Sequence, residues 1–189
     1  MLPVNSNPHD DLSTEELQRF SKVLIIENAI SDKVCDELAI LGTCQVFPAV
    51  KKHTYQNNMN LEHCFLEKDH MIHSLISHHW ERAADEFNFD ISFLEPHKLQ
   101  TYASGGYFNS HIDNYHGLNL PVDRKLSATI QLTHETHYEG GDLIIGNTSM
   151  PRTKGTMIIF PSFYPHKVTE VTKGRRWCVV AWAWGPYWK

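Results

Sequence analysis

Lys125-Leu-Ser-Ala-Thr-Ile-Gln-Leu-Thr133 alternates apolar and polar side chains without a break. Leu126, Ala128, Ile130 and Leu132 fall on one side, and Ser127, Thr129, Gln131 and Thr133 on the other. A period of two is that of a β-strand with one buried face. The polar face either meets solvent or, inside a small barrel, lines a polar pocket; the alternation is compatible with both. Outward from this stretch, segments 98–102, 143–145, 156–160, 167–171 and 176–184 share its β-rich texture. Gly105-Gly106, Gly140-Gly141, Gly155 and Gly174 punctuate them, as turn residues do. No helical period intervenes. Strands at this spacing form an antiparallel sandwich or barrel.

The first half reads differently. Residues 1–12 are rich in Asn, Asp and Pro and are expected to be a flexible arm. Ser13-Thr-Glu-Glu16 has the form of a capping box and opens a short helix to about residue 20. Residues 23–26 form a largely β-branched run, and Ser31 caps a helix with Val34, Leu38 and Leu41 on one face. A longer helix is expected over 67–87, where Ile72, Leu75, Ile76, Trp80, Ala83, Ala84 and Phe87 make a wide apolar stripe. That stripe needs a sheet to cover. Residues 45–65 show no clear period and read as strand and loop, placed to act as a lid. The expected fold is α+β and mainly β, a double-stranded β-helix (jelly roll) with N-terminal helices against one sheet. It would be a single domain over 13–189, with a helical part at 13–95 and a catalytic core at 96–189.

At 189 residues the chain has enough material for one well-packed core. A hydrophobic content of 41% and a charged content of 21% are those of a soluble globular protein. There is neither a bilayer-length apolar run nor a signal-peptide pattern, so a cytoplasmic location without membrane contact is expected. The formal charge of −5 disfavours a broad nucleic-acid surface. Cys35, Cys44, Cys64 and Cys178 form no CxxC pair and are expected to be reduced and mostly buried. Among 13 histidines, His63, His70, His73, His78 and His79 are assigned to surface or boundary positions. His134 and His137 sit in an inter-strand turn and His116 in a loop, and all three are expected to be solvated.

The chemistry concentrates in His111-Ile112-Asp113, followed by His166 and then by Arg176. On a strand, residues two apart share a face, so His111 and Asp113 can reach one ion. Two imidazoles and a carboxylate hold ferrous iron on one side and leave the other positions open. Arg176 lies on a face with Cys178, Val180, Trp182 and Trp184, and a guanidinium on an apolar face demands an anion. Arg175 points the other way, toward solvent.

These residues sit in longer stretches: Tyr102-Ala-Ser-Gly-Gly-Tyr-Phe-Asn-Ser-His-Ile-Asp-Asn114, Glu139-Gly-Gly-Asp-Leu143, Phe160-Pro161, His166 through Trp177, and Trp182. With them the C-terminal half resembles the iron(II)- and 2-oxoglutarate-dependent dioxygenases of the prolyl 4-hydroxylase type. The likeness covers roughly 22–44 and 97–185. It implies iron bound by His111, Asp113 and His166. It further implies the distal carboxylate of 2-oxoglutarate on Arg176, where such prolyl hydroxylases often have lysine. Tyr102 would hydrogen-bond the co-substrate, while Gln131, Leu143 and Thr129 would line its pocket. Dioxygen is the implied oxidant, and ascorbate a further cofactor. The implied activity is hydroxylation of a prolyl or other peptidyl residue, with release of succinate and carbon dioxide. The rivals are an oxygenase acting on a free amino acid, small metabolite or nucleobase, and a non-enzymatic jelly roll binding a metal or sugar.

Overall fold

Two long strands, each changing partners along its length, organise the chain. The computed structural model describes residues 22–45, 47–48, 58–114 and 121–187. Its helices are α1 (Asp32–Gln45), α2 (Ile72–Leu75) and α3 (Ser77–Phe87). The strands before the core are β1 (Leu24–Ile26), β2 (Phe47–Pro48), β3 (Asn58–Phe65) and β4 (Phe93–Leu94). The remainder are β5 (Lys98–His111), β6 (Val122–Gln131), β7 (Tyr138–Gly140), β8 (Leu143–Ile145), β9 (Thr148–Ser149), β10 (Met157–Pro161), β11 (His166–Val168) and β12 (Val171–Pro186). They form a curled sheet in the order β1-β10-β6-β12-β5-β11-β8-β9, with β3 beside β5, β2 on β3, and β4 and β7 on β12. The pairings are antiparallel, and the architecture is the expected double-stranded β-helix.

β5 is the first of the two strands. Its residues 98–103 pair with β12, and its far end pairs with β11. Between these lies an irregularity: on β3, Met59 pairs with Tyr107 but Leu61 with Tyr102. The extra residues of β5 bulge out there, with Gly105 at φ +79°, a conformation that glycine adopts without a Cβ penalty. The Gly105-Gly106 pair therefore bends the strand instead of ending it, which corrects the expected stop at 102. β12 does the same: 171–174 pair with β7, and the rest with β5 and β6. It begins at Val171, so Arg176 lies inside the strand.

Two cores follow from strand parity. Leu126, Ala128, Ile130 and Leu132 join Trp177, Val179, Ala181 and Ala183 in a cluster covered by Cys35, Leu38, Ile72, Trp80 and Ala83 of the helices and by Ile76 between two of them. The opposite faces close on a second cluster that includes Tyr102, Leu143, Phe160, Val168 and Cys178. A slip of one residue would exchange the two faces, so the apolar stripes hold the register. The helices pack on one side of the sheet as expected.

Several local readings change. The helix expected over 67–87 is two helices, because Ile76 leaves helical geometry at φ −106°, ψ 3°. The stretch before Ile72 is a turn, in which the His70 amide donates to Glu67 O and the His70 ring accepts from the Ile72 amide. His79 is buried instead of lying at the surface or boundary, and its ring packs beside that of His78. Of the four free cysteines, Cys35 and Cys178 are buried, Cys64 is half-buried and Cys44 is exposed. His134 and His137 are exposed in a short 3-10 turn, as expected. Arg175 is exposed and pairs with Glu62. The arm 1–12, the helix from Ser13, His116 and positions 49–57 of the proposed lid lie outside the described residues; 58–65 are β3. No helix among the described residues is long and apolar enough to cross a membrane.

α1 starts where expected, with Ser31 Oγ accepting from the Val34 amide at 3.4 Å. It also carries Gly42 in its last turn, where a Cβ would stand 2.3 Å from the Trp177 ring. Alanine favours a helix by about 1 kcal/mol over glycine, but forcing a methyl into a packed site costs about 1–3 kcal/mol. Gly42→Ala is therefore expected to lower the urea midpoint. A midpoint equal to the parent's would show that the Trp177 ring yields.

Candidate active site

His166 on β11 is the direct cross-strand partner of His111 at the end of β5. Opposed residues carry their Cβ atoms about 5 Å apart, and the two imidazole centroids lie 4.2 Å apart. Each ring is fixed by its own strand: His111 Nδ1 meets Asn109 O at 2.8 Å, and His166 Nδ1 meets Tyr164 O at 2.9 Å. A carbonyl only accepts, so both Nδ1 atoms carry hydrogen and both Nε2 atoms face inward. Phe108 and Phe160 pack against the two rings.

Asp113 completes the set from just beyond the strand. β5 ends at His111, so strand parity is not what places this carboxylate. Its amide donates to Ser162 O at 2.8 Å instead. Oδ1 lies 3.6 Å from His111 Nε2, and Oδ2 lies 3.5 Å from His166 Nε2. Two further donors hold Oδ2: Ser127 Oγ at 2.7 Å and Trp182 Nε1 at 2.8 Å. Ser127 and Trp182 are themselves a cross-strand pair, and Ser162 Oγ lies 2.9 Å from Ser127 Oγ. Burial opposes charge on Asp113, but His111, His166 and the Trp182 and Ser127 donors outweigh it and hold the carboxyl well below the usual carboxylate range. Burial pushes the His166 imidazole below its ordinary value, against the pull of Asp113.

The three ligand atoms lie within 4.8 Å of one another. With both Nδ1 atoms committed to carbonyls, each Nε2 faces the Asp113 carboxylate, where it can share a proton with that carboxylate or give a lone pair to a metal. A bound cation would engage both nitrogens and the carboxylate at once, and the donor set suits iron(II). The residues therefore fit a metal.

The triad opens into a cavity of about 480 Å³. Arg176 lines its other end and is 1% exposed. Nη2 donates to Gln131 Oε1 at 3.0 Å, Nη1 approaches Cys178 Sγ at 3.4 Å, and Nε has no partner among the described residues. No carboxylate among the described residues pairs with this guanidinium, and a buried cation left so calls for an anionic ligand. Tyr102, its cross-strand partner, lies beneath it, 5.4 Å from ring centroid to guanidinium carbon, and accepts from Gln100. Burial pushes the Tyr102 phenol up, so it stays protonated. Leu143 and Thr129 line the cavity, and Gln131 reaches it through Arg176. The polar face of β6 thus lines a pocket.

The sequence alone does not reveal that Ser127 and Ser162 support Asp113 or that Lys98 lines the cavity. Ser127 was legible only as one of four residues on a polar face. Ser162 lay in a turn with no signal, and Lys98 began a strand without suggesting a site. Trp182 was noted as an inward residue, not as a donor to Asp113.

Residues 97–184 match the family model described as the 2OG-Fe(II) oxygenase superfamily. A PKHD-type hydroxylase of Gluconobacter oxydans is 31% identical over 96 residues, which are 47% of this chain and 42% of that relative. One from Janthinobacterium is 36% identical over 95 residues, 46% of this chain and 42% of the relative. The matched part is thus less than half the length of these relatives. Among solved structures, a Pseudomonas putida prolyl-4-hydroxylase superposes with a TM-score of 0.69 at 14% identity, covering 85% of this chain and 91% of that one. A collagen prolyl hydroxylase of Paramecium Bursaria Chlorella virus-1, in complex with 2OG, gives 0.68 at 19%, covering 86% and 96%. At these identities the superpositions show the fold.

Two outcomes follow for metal binding. Trp182→Phe removes one donor to Asp113 and is expected to weaken metal affinity by about 10–100-fold, measured by competition with a chelating dye; unchanged affinity would show that Ser127 alone suffices. Protons compete for the two Nε2 atoms, and His166 protonates only below the ordinary imidazole value of about 6.5. Affinity should therefore be nearly level from about pH 8 to 7 and fall on acidification below about pH 6. Loss already at pH 7 would contradict the depressed His166.

Proposed function

We propose that this chain, a member of the 2OG-Fe(II) oxygenase superfamily through residues 97–184, is an iron(II)- and 2-oxoglutarate-dependent dioxygenase that hydroxylates a C–H bond. The substrate we favour is a prolyl or other peptidyl residue. The observation that carries the reading is one cavity holding both a two-histidine, one-carboxylate cluster and a buried arginine without a carboxylate partner among the described residues. A metal-binding jelly roll needs only the first of these. The peptidyl substrate is supported by the names of the relatives and structural neighbours, which are hydroxylases and prolyl hydroxylases.

His111 and His166 would bind iron through Nε2, with Asp113 binding through its carboxylate. Arg176 would take the distal carboxylate of 2-oxoglutarate, its planar fork suited to two parallel hydrogen bonds. When bound, these groups together with dioxygen supply the oxidation that turns C–H into C–OH, with 2-oxoglutarate leaving as succinate and carbon dioxide. The chain supplies position and exclusion of water. The Asn109 and Tyr164 carbonyls fix which nitrogen of each imidazole faces the metal. Ser127 and Trp182 hold Asp113 ionised and oriented. Gln131 takes one arm of Arg176, which keeps the fork from turning. Leu143, Phe160 and Val168 give the cavity apolar wall.

Succinate is expected to form when the chain is supplied with ferrous iron, 2-oxoglutarate and proline-rich peptides. His166→Ala should reduce it to background. Losing a charge-assisted clamp costs about 1.5–3 kcal/mol, so Arg176→Ala should raise the 2-oxoglutarate requirement by about 10–100-fold. Absence of both succinate and iron binding would refute the oxygenase reading, and an unchanged co-substrate requirement in Arg176→Ala would refute the clamp. Turnover that no peptide stimulates would remove the peptidyl substrate alone.

A further inference from the structure

The cavity holds a second cation, well away from Arg176. Lys98 lies on the same strand face as Gln100 and Tyr102, and all three line the cavity. Tyr102 is the cross-strand partner of Arg176, whereas Lys98 pairs with Val180. Four residues along β5 separate the two positions, about 13 Å at roughly 3.3 Å per residue. The Lys98 ammonium lies 4.9 Å from the centroid of the Trp182 ring and 5.5 Å from that of Phe65. Trp182 is the residue that donates to Asp113. Lys98 therefore stands toward the metal-binding side of the cavity.

Its surroundings leave its charge unanswered. No carboxylate among the described residues pairs with it, and it makes no hydrogen bond to them. The adjacent cation, Arg124, donates to Glu95 from Nε and Nη2 at 2.7–2.9 Å, and Glu95 also accepts from Trp184 Nε1 at 3.0 Å. Glu95 thus gives its hydrogen bonds to Arg124 and Trp184 and acts on Lys98 only through space. Burial and then Arg124 lower the affinity of Lys98 for its proton, against the opposing pull of Glu95 and then Asp113. The two aromatic rings favour a cation, yet they use none of its three N–H donors. A half-buried ammonium with free donors facing a cavity is arranged to receive an anion.

We infer that Lys98 anchors a carboxylate of the primary substrate, so that the substrate carries an acidic group close to the oxidised carbon. This rests on the oxygenase reading, because it takes the cavity to hold co-substrate and substrate together. The co-substrate has two carboxylates: the distal one belongs at Arg176, and the one beside the keto group belongs at the metal. Neither is left for Lys98. The acidic group is either the α-carboxylate of a free amino acid or chain end, or the side chain of an acidic residue.

The test uses the full chain with zinc(II) in place of iron and saturating 2-oxoglutarate, so that no turnover is required. Binding of matched N-acetyl amino acids, as free acids and as primary amides, is measured by calorimetry; a second arm compares aspartyl with asparaginyl amides and glutamyl with glutaminyl amides. A charge-assisted contact predicts that at least one acid outbinds its neutral partner by about 10–100-fold. The first arm responding identifies an α-carboxylate, the second a side chain. Lys98→Met should bring the ratio close to one, and Lys98→Arg should retain part of it. A ratio near one for every pair in the parent protein overturns the proposal without recourse to any variant. So does a ratio that survives in Lys98→Met, or a Lys98→Met protein that loses 2-oxoglutarate affinity by the same factor, which would assign the lysine to the co-substrate. The oxygenase reading fails separately, through absence of succinate with iron.

Discussion

The register that sets His166 opposite His111 is the constraint on which the site depends. β5 reaches that register after bending at Gly105, between its pairing with β12 and its pairing with β11. One strand therefore carries Tyr102 to Arg176 at one end and His111 to His166 at the other. The distance between an anion-binding end and a metal-binding end is fixed by a length of backbone, not by flexible side chains. That rigidity suits a reaction in which two ligands must meet at one point.

Asp113 is the electrostatic centre of the same arrangement. A carboxylate this buried would ordinarily be driven toward neutrality. Here two imidazoles face it and two donors grip one of its oxygens. Those donors, Ser127 and Trp182, come from neighbouring strands at paired positions, so sheet formation itself assembles them. Metal binding and folding are consequently linked: whatever loosens the β6–β12 ladder loosens the carboxylate.

Alternation along 125–133 and 176–184 was readable from residue type alone, and it located both cores and the inward face carrying Arg176. Two features were not readable. The Gly105-Gly106 pair looks like a turn, because a bulge and a turn draw on the same conformational freedom of glycine; only pairing across the sheet distinguishes them. Asp113 seemed placed by strand parity, yet its amide is held by Ser162 O, a contact spanning 49 positions of sequence. The polar face of β6 was ambiguous for a related reason. Solvent and an enclosed pocket both accept Ser, Thr and Gln, and only closure of the barrel decides between them.

β12 shows why this fold can change its chemistry without losing stability. Trp177, Val179, Ala181 and Ala183 face the helices and bury apolar surface, whereas Arg176, Cys178, Val180 and Trp182 face the cavity. Burying a large apolar side chain contributes about 1.5–3 kcal/mol, so the outward set holds the strand in place whatever the inward set becomes. The inward face is then free to carry groups that are costly to bury, including an arginine without a carboxylate partner among the described residues. β5 extends the same division, with Leu99 in the core beside Lys98 and Gln100 at the cavity. Within 98–102 of β5 and 176–182 of β12, a substitution at an even-numbered position alters what the cavity recognises, while one at an odd-numbered position alters whether the sheet holds.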